Sequence, residues 1–264
     1  MRTVRDLSLH VWTFTCPDLT LLPTFSNVKS LDLCLEDCHT LPQIVKRMKQ
    51  LTSLALGGES LYDQEVWDAV LQLTGLRSLC YSPRRCLEER RFELHSFDLL
   101  SQLTSLSVGH LPPGISLSSL TGLVGLRIDW QSVPCAAIQE SLVHLTNLEY
   151  LYLSADRQAR LDVKSSAFAQ LKKLRELELR VMLLDSNFIL TLANMTQFTV
   201  LDLSLSVEQE HVPSFLDQLS LLSNLRSLKL RFERPGHLDV NLLACLPEGS
   251  FLRLRSLCVV GIMT

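Results

Sequence analysis

The phrase LxxLxL, with apolar substitutes allowed at its fixed positions, begins at Val4, Val28, Leu51, Leu76, Leu103, Leu123, Leu148, Leu174, Phe198, Leu225 and Leu254. LTSLAL (51–56), LRELEL (174–179) and LRSLKL (225–230) are clean examples. In ten of the eleven an apolar residue also stands three positions earlier: Phe25, Met48, Leu73, Leu100, Leu120, Leu145, Leu171, Met195, Leu222 and Phe251. Successive starts lie 20 to 29 residues apart. Eleven units in one register mean a chain made of one supersecondary unit used again and again.

In LxL the two leucines alternate with another residue, so they share one face of a short strand. The upstream apolar residues turn the chain toward the same core. A lone unit cannot bury that face, but stacked units share a continuous leucine column. Parallel strands need a return segment between them. Leucine supplies 59 of the 264 residues, as expected when one residue type fills the same slot in every turn.

The return segments read as short helices in most repeats. YDQEVWDAVLQL (62–73) puts Trp67, Val70 and Leu71 on one face, with Asp63 placed to cap it. Ser132 and Pro134 precede a stripe of Ile138, Leu142 and Leu145. Segments 96–103, 165–171, 185–195 and 212–222 fit the same description. Repeat five differs, because Leu111-Pro112-Pro113-Gly114 blocks a helix. The first return segment, 16–25, reads as extended.

Over essentially its whole length the chain resembles the leucine-rich-repeat superfamily. That resemblance implies a single domain over 1–264: a horseshoe solenoid of about 11 repeats, α/β in class. A parallel concave sheet would be backed by short helices and extended segments on the convex side. The family commonly carries Asn or Cys three residues past the last leucine, bonding adjacent turns. Here that position holds Trp12, Glu36, Glu59, Arg84, Leu111, Gln131, Asp156, Met182, Ser206, Glu233 and Ile262. No asparagine ladder stands there, and the irregular spacing is more similar to intracellular repeat proteins such as F-box substrate receptors. A closed βα barrel is the rival for alternating strands and helices, but eleven strands written LxL do not suit eight-strand closure.

Composition and motifs narrow the function by exclusion. Net charge is −3, so no global basic field draws in nucleic acid or an anionic membrane. Arg2, Arg5, Asp6 and His10 interrupt what a signal peptide would need, and no stretch approaches a membrane span. A cytoplasmic protein is expected. The seven histidines fall in different repeats, and no phosphate loop, HExxH or GxSxG occurs. No enzyme activity, catalytic residue, cofactor or metal is expected. The eight cysteines contain no CxxC pair and read as reduced, with Cys16 and Cys38 the one plausible bridge.

Reading the outward strand positions in columns divides the sheet face in two. Repeats two to five offer mainly Ser, Ala, Gly and Cys. Repeats six to ten offer Arg127, Asp129, Tyr150, Tyr152, Glu176, Glu178, Arg180, Asp202, Lys229 and Arg231. Paired tyrosines among charges are the composition of a recognition surface. Alternatively, such charges simply neutralise one another on a wet sheet. Glu178 and Asp202 would be like-charged neighbours, needing a cation such as Lys229, Arg180 or one from a partner. On this reading Tyr152→Ala with Glu178→Lys abolishes capture of a partner and leaves thermal stability nearly unchanged. Segment 81–95, dense in both signs of charge, reads as a solvated helix or a protruding loop.

The expected function is a protein-interaction scaffold using the concave face for a protein partner. A substrate-recognition subunit of a ubiquitin ligase is the alternative that the F-box resemblance suggests, although no F-box segment precedes the repeats. A structural subunit of a larger complex is the other. Neither terminal repeat carries an evident polar cap, so end-to-end contact with another subunit is expected as well.

Overall fold

The computed structural model describes residues 5–11, 24, 26–35, 39–58, 64–83, 97–109, 115–130, 135–155, 165–180, 186–205, 212–233 and 251–262. Eleven strands follow one another in the sheet in chain order. The chain divides into two compact units, Met1–Ile128 and Asp129–Thr264.

The first unit carries β1 (Asp6–Val11), β2 (Ser30–Leu35), β3 (Ser53–Gly58), β4 (Ser78–Pro83), β5 (Ser105–Val108) and most of β6 (Gly125–Trp130). All their pairings are parallel and in the register of the repeat, for example Asp32 with Ala55, Ala55 with Cys80, and Cys80 with Ser107. In β2 and β3 every second residue is buried, as the LxL alternation requires. Behind the strands lie α1 (Leu41–Arg47) and α2 (Gln64–Leu71). Trp67 of α2 stacks on Tyr81, ring centres 4.2 Å apart, and meets Phe97 edge-on at 6.0 Å. Helix α1 went unread in the sequence. Its signals were there: Pro42 in the first turn and a stripe of Leu41, Ile44, Val45 and Met48, all buried. Segment 96–103 holds a single 3-10 turn, Asp98–Leu100, in place of the expected longer helix.

The second unit carries β7 (Tyr150–Ala155), β8 (Glu176–Arg180), β9 (Val200–Leu205), β10 (Ser227–Glu233) and β11 (Ser256–Ile262), again parallel. Helices α3 (Cys135–Leu142), α4 (Ser165–Phe168), α5 (Ser186–Ala193) and α6 (Val212–Leu219) supply the return segments. Phe168 and Phe188 join α4 to α5 in an edge-on contact at 5.0 Å.

These helices stop short of the spans their apolar stripes suggested, and the reason recurs in each repeat. The apolar residue three positions before LxxLxL leaves the helix to form a tight turn. Its carbonyl accepts a hydrogen bond from the residue three further on, as in Leu148 N to Leu145 O (3.0 Å) and Leu225 N to Leu222 O (3.0 Å). Leu73, Leu145, Leu171 and Leu222 are thereby sunk into the core. In repeat five the described residues 115–124 contain turns and no helix; Leu111–Gly114 lie outside them. So do 16–23, Asp63, Ser132, Pro134, 84–95, and the cysteines 16, 38, 86 and 245.

Two ladders of side chains tie successive turns together. In the tight turn, Lys173 Nζ donates to Asn147 Oδ1 (2.7 Å) and Gln197 Nε2 to the Leu171 carbonyl (3.3 Å). Asn224 Nδ2 donates to the Thr196 carbonyl (2.9 Å), and Arg253 to Asn224 Oδ1 (2.8 Å). At the head of the strands, Thr52, Thr104 and Thr199 donate to the carbonyls of Lys29, Arg77 and Arg175. The second of these ladders needs only a small hydroxyl, and the first only a side chain long enough to cross one strand spacing. Polar bonding between turns thus exists without the asparagine column, at other positions of the repeat.

Candidate functional site

The charged sheet face of the second unit is built by β7 to β10 with Asp129, from the side chains that alternate with the core leucines. Strand register places Tyr150 opposite Glu176, Tyr152 opposite Glu178, Glu178 opposite Asp202, and Asp202 opposite Lys229. Arg180 and Arg231 both stand opposite Ser204, one from each side. Arg127 stands opposite Ser107 in the first unit.

Six of the remaining residues, all in the second unit, interlock. Arg231 forks onto Asp202, with NH1 to Oδ1 at 2.6 Å and NH2 to Oδ2 at 2.8 Å. The same NH2 lies 4.0 Å from Glu178 Oε1. Glu178 accepts from Arg180 Nε at 2.9 Å, and its Oε1 lies 2.7 Å from Arg180 NH2. The Arg180 guanidinium also lies over the Tyr152 ring, 5.4 Å from its centre. The Tyr152 hydroxyl also interacts with the side chains of Asp129 and Ser154. A belt thus runs Asp129–Tyr152–Arg180–Glu178–Arg231–Asp202.

The cation that lets Glu178 and Asp202 stand side by side is Arg231. Arg180 pairs directly with Glu178, and it and Lys229 act on Asp202 through space. Ser204, the small residue between the two arginines in register, is only 6 % exposed. The exchange of a charged pair for a three-membered network lowers the cost of holding each long side chain in place.

Burial sorts the belt into two groups. Tyr152 is 2 % exposed, and the side chains of Arg231 and Asp202 are 12 % and 14 % exposed. Burial raises the Tyr152 phenol above its ordinary pKa. It also raises the Asp202 carboxyl, where Arg231 pulls the other way and Glu178 adds to the rise. Burial works against the Arg180 charge, but Tyr152 and Glu178 outweigh it and hold the guanidinium above its usual value. By contrast Glu176 is exposed, Tyr150 and Lys229 are half-buried, and the Arg180 side chain is 46 % exposed. Tyr150, Glu176, Arg180 and Lys229 therefore face outward, on a floor that Tyr152, Glu178, Asp202 and Arg231 hold rigid. The sequence placed all of these in one patch; it could not separate floor from surface.

The small-residue half lies on β2 to β5. Ser30, Ser53, Ser78 and Ser105 form one register column. Cys34 and Cys80 on this half, and Cys258 on β11, are free thiols. Among the described residues no helix is long and apolar enough to cross a membrane, and no three potential metal ligands lie together.

No family's sequence profile and no curated protein matches the chain. Solved structures do. The functional domain of InlJ from Listeria monocytogenes, which includes a cysteine ladder, is 17 % identical with a TM-score of 0.50; the match covers 98 % of this chain and 54 % of that one. The plant peptide hormone receptor RGFR1, in complex with RGF2, is 16 % identical over 97 % of this chain and 47 % of its own, with a TM-score of 0.47. Toll in the Drosophila Toll–Spatzle complex is 15 % identical over 97 % and 39 %, with a TM-score of 0.41. The chain spans about half the length of the InlJ domain. Eleven LxxLxL turns on parallel strands in chain order, with the likeness to the InlJ domain, make this the leucine-rich-repeat fold.

Proposed function

We propose that the chain is a protein-interaction module that receives a protein partner on the sheet face of β7 to β10. The interlocked belt is the observation that carries this reading. Its arginines and tyrosine are fixed by one another before any partner arrives, so association forfeits little side-chain freedom there. Tyr150, Glu176, Arg180 and Lys229 then present an aromatic ring and both signs of charge on a rigid base. Such a mixture suits a hot spot on a protein surface.

Because Tyr152 and Glu178 belong to the floor, the informative variants are Tyr150→Ala and Arg180→Ala. Each is expected to weaken capture of the partner from an extract of the native source by about tenfold or more. Both are expected to unfold within a few degrees of the parent. Undiminished capture by the double variant would count against the sheet face. A cytoplasmic location belongs to the same proposal and is supported by the accessible thiols of Cys34, Cys80 and Cys258, which a reducing compartment preserves. End-to-end contact with another subunit is supported at β11, where Leu257 and Val259 are 36 % and 40 % exposed while the matching Leu228 and Leu230 of β10 are buried.

A further inference from the structure

The edge at which the strands of the second unit begin carries a different kind of charge from its sheet face. One residue per strand stands there, joined backbone to backbone: Arg175 N to Glu149 O (2.9 Å), Thr199 N to Arg175 O, Arg226 N to Thr199 O, and Arg255 N to Arg226 O (each 2.8 Å). The tight turn just before adds Lys172, Lys173 and Arg253. All six cations are exposed. Lys173 and Arg253 hydrogen-bond the neutral amides of Asn147 and Asn224, and none of the six is ion-paired with a carboxylate among the described residues.

Glu149 is the one described carboxylate on this edge. The other described carboxylates of the unit lie on the sheet face (Asp129, Glu176, Glu178, Asp202), on helices (Glu140, Asp217) or at the far end of β10 (Glu233). In a chain of net charge −3, six exposed cations thus gather along one rim without a carboxylate partner among the described residues, while the sheet-face charges of the unit are of both signs and pair with one another. Strands spaced ~4.8 Å apart put Arg175, Arg226 and Arg255 within about 15 Å, so their mutual repulsion is relieved only by anions.

We propose that this rim docks an acidic segment of a partner protein. An extended stretch of about five residues spans the three strand steps from Arg175 to Arg255. Its carboxylates meet guanidinium groups, which accept them in two-point geometry. A nucleic acid strand fits less well, because neither the strand-head row nor the turn row holds an aromatic side chain on which a base could stack. The site is separate from the sheet face, so it stands or falls independently of the function proposed above.

The test uses the whole chain and a labelled peptide of about eight glutamates, followed by fluorescence anisotropy at an ionic strength of about 0.05 M. The wild type binds it, and binding weakens steeply as salt is added. Arg175→Gln, Arg226→Gln and Arg255→Gln together weaken binding by about tenfold or more. Lys46→Gln with Arg47→Gln on α1, which removes charge from the other unit, leaves it unchanged. A second readout needs no variant: the peptide slows acetylation of Lys172 and Lys173 in the wild type but not of Lys46. The proposal is overturned by any of three results: no binding at low salt, equal protection of Lys46, or an unaltered affinity in the folded triple variant. Tighter binding of a single-stranded oligonucleotide of the same charge overturns the acidic-peptide assignment.

Discussion

Gly58 is the position where the backbone leaves no choice of residue. Its φ is +128°, and a Cβ there would come within 1.6 Å of the Leu35 carbonyl oxygen on the neighbouring strand. Gly57, one residue earlier, would place a Cβ at 3.5 Å from Cys34 Sγ, an ordinary contact. Gly58→Ala is expected to destabilise the chain by about 3 kcal/mol or more, and Gly57→Ala by under about 1 kcal/mol, in urea unfolding. The belt makes an equally asymmetric forecast. Removing Arg231 leaves Glu178 and Asp202 facing each other, whereas removing the Asp202 charge leaves Arg231 with Glu178. Arg231→Met should therefore cost about 2–3 kcal/mol and Asp202→Asn much less. Acid enters with a definite sign. The Asp202 carboxyl is raised by burial, so the folded state holds its proton to higher pH than the unfolded state does. Its contribution to stability is complete below the unfolded value and is lost as pH rises through the folded one. Stability of the parent relative to Asp202→Asn should thus increase on acidification through the carboxylate range. A decrease would mean that Arg231, not burial, dominates at this site.

At the scale of the element, the tight turn before each strand is what keeps the turns in register. Asn224 sits in the middle of its ladder, giving a hydrogen bond to the Thr196 carbonyl and taking one from Arg253. Asn224→Ala is expected to cost about 1 kcal/mol, and amide exchange should quicken in the turns around 196 and 253 before it does elsewhere. Strands and their register were fully legible beforehand, because LxL alternation fixes which side chains face the core and which align across strands. Tyr152 opposite Glu178 and Glu178 opposite Asp202 were both foreseen from columns alone. Helix ends were less legible, since Leu145 or Leu222 continues an apolar stripe while actually belonging to the turn. The ladders leave no residue-type signal in the sequence, because Asn147, Lys173, Gln197, Asn224 and Arg253 share reach rather than residue type. The charged patch was legible as a patch, but the choice of Arg231 as the bridging cation was not. It depends on a diagonal reach across Ser204, which no column displays.

For the molecule as a whole, each repeat contacts mainly its sequence neighbours, so damage should stay local. Leu203→Ala, deleting a buried core position of β9, is expected to cost about 2–5 kcal/mol. Amide exchange should accelerate in β8 to β10 while β2 to β4 keep their protection. The proposed function turns on the sheet face of β7 to β10 receiving the partner. A photo-crosslinking residue placed at Tyr150 tests it most directly, with the same residue at Leu221, which is 62 % exposed just beyond α6, as the comparison. In an extract of the native source the account predicts a discrete protein adduct from position 150 and none from 221. An adduct from 221 with none from 150 would contradict it.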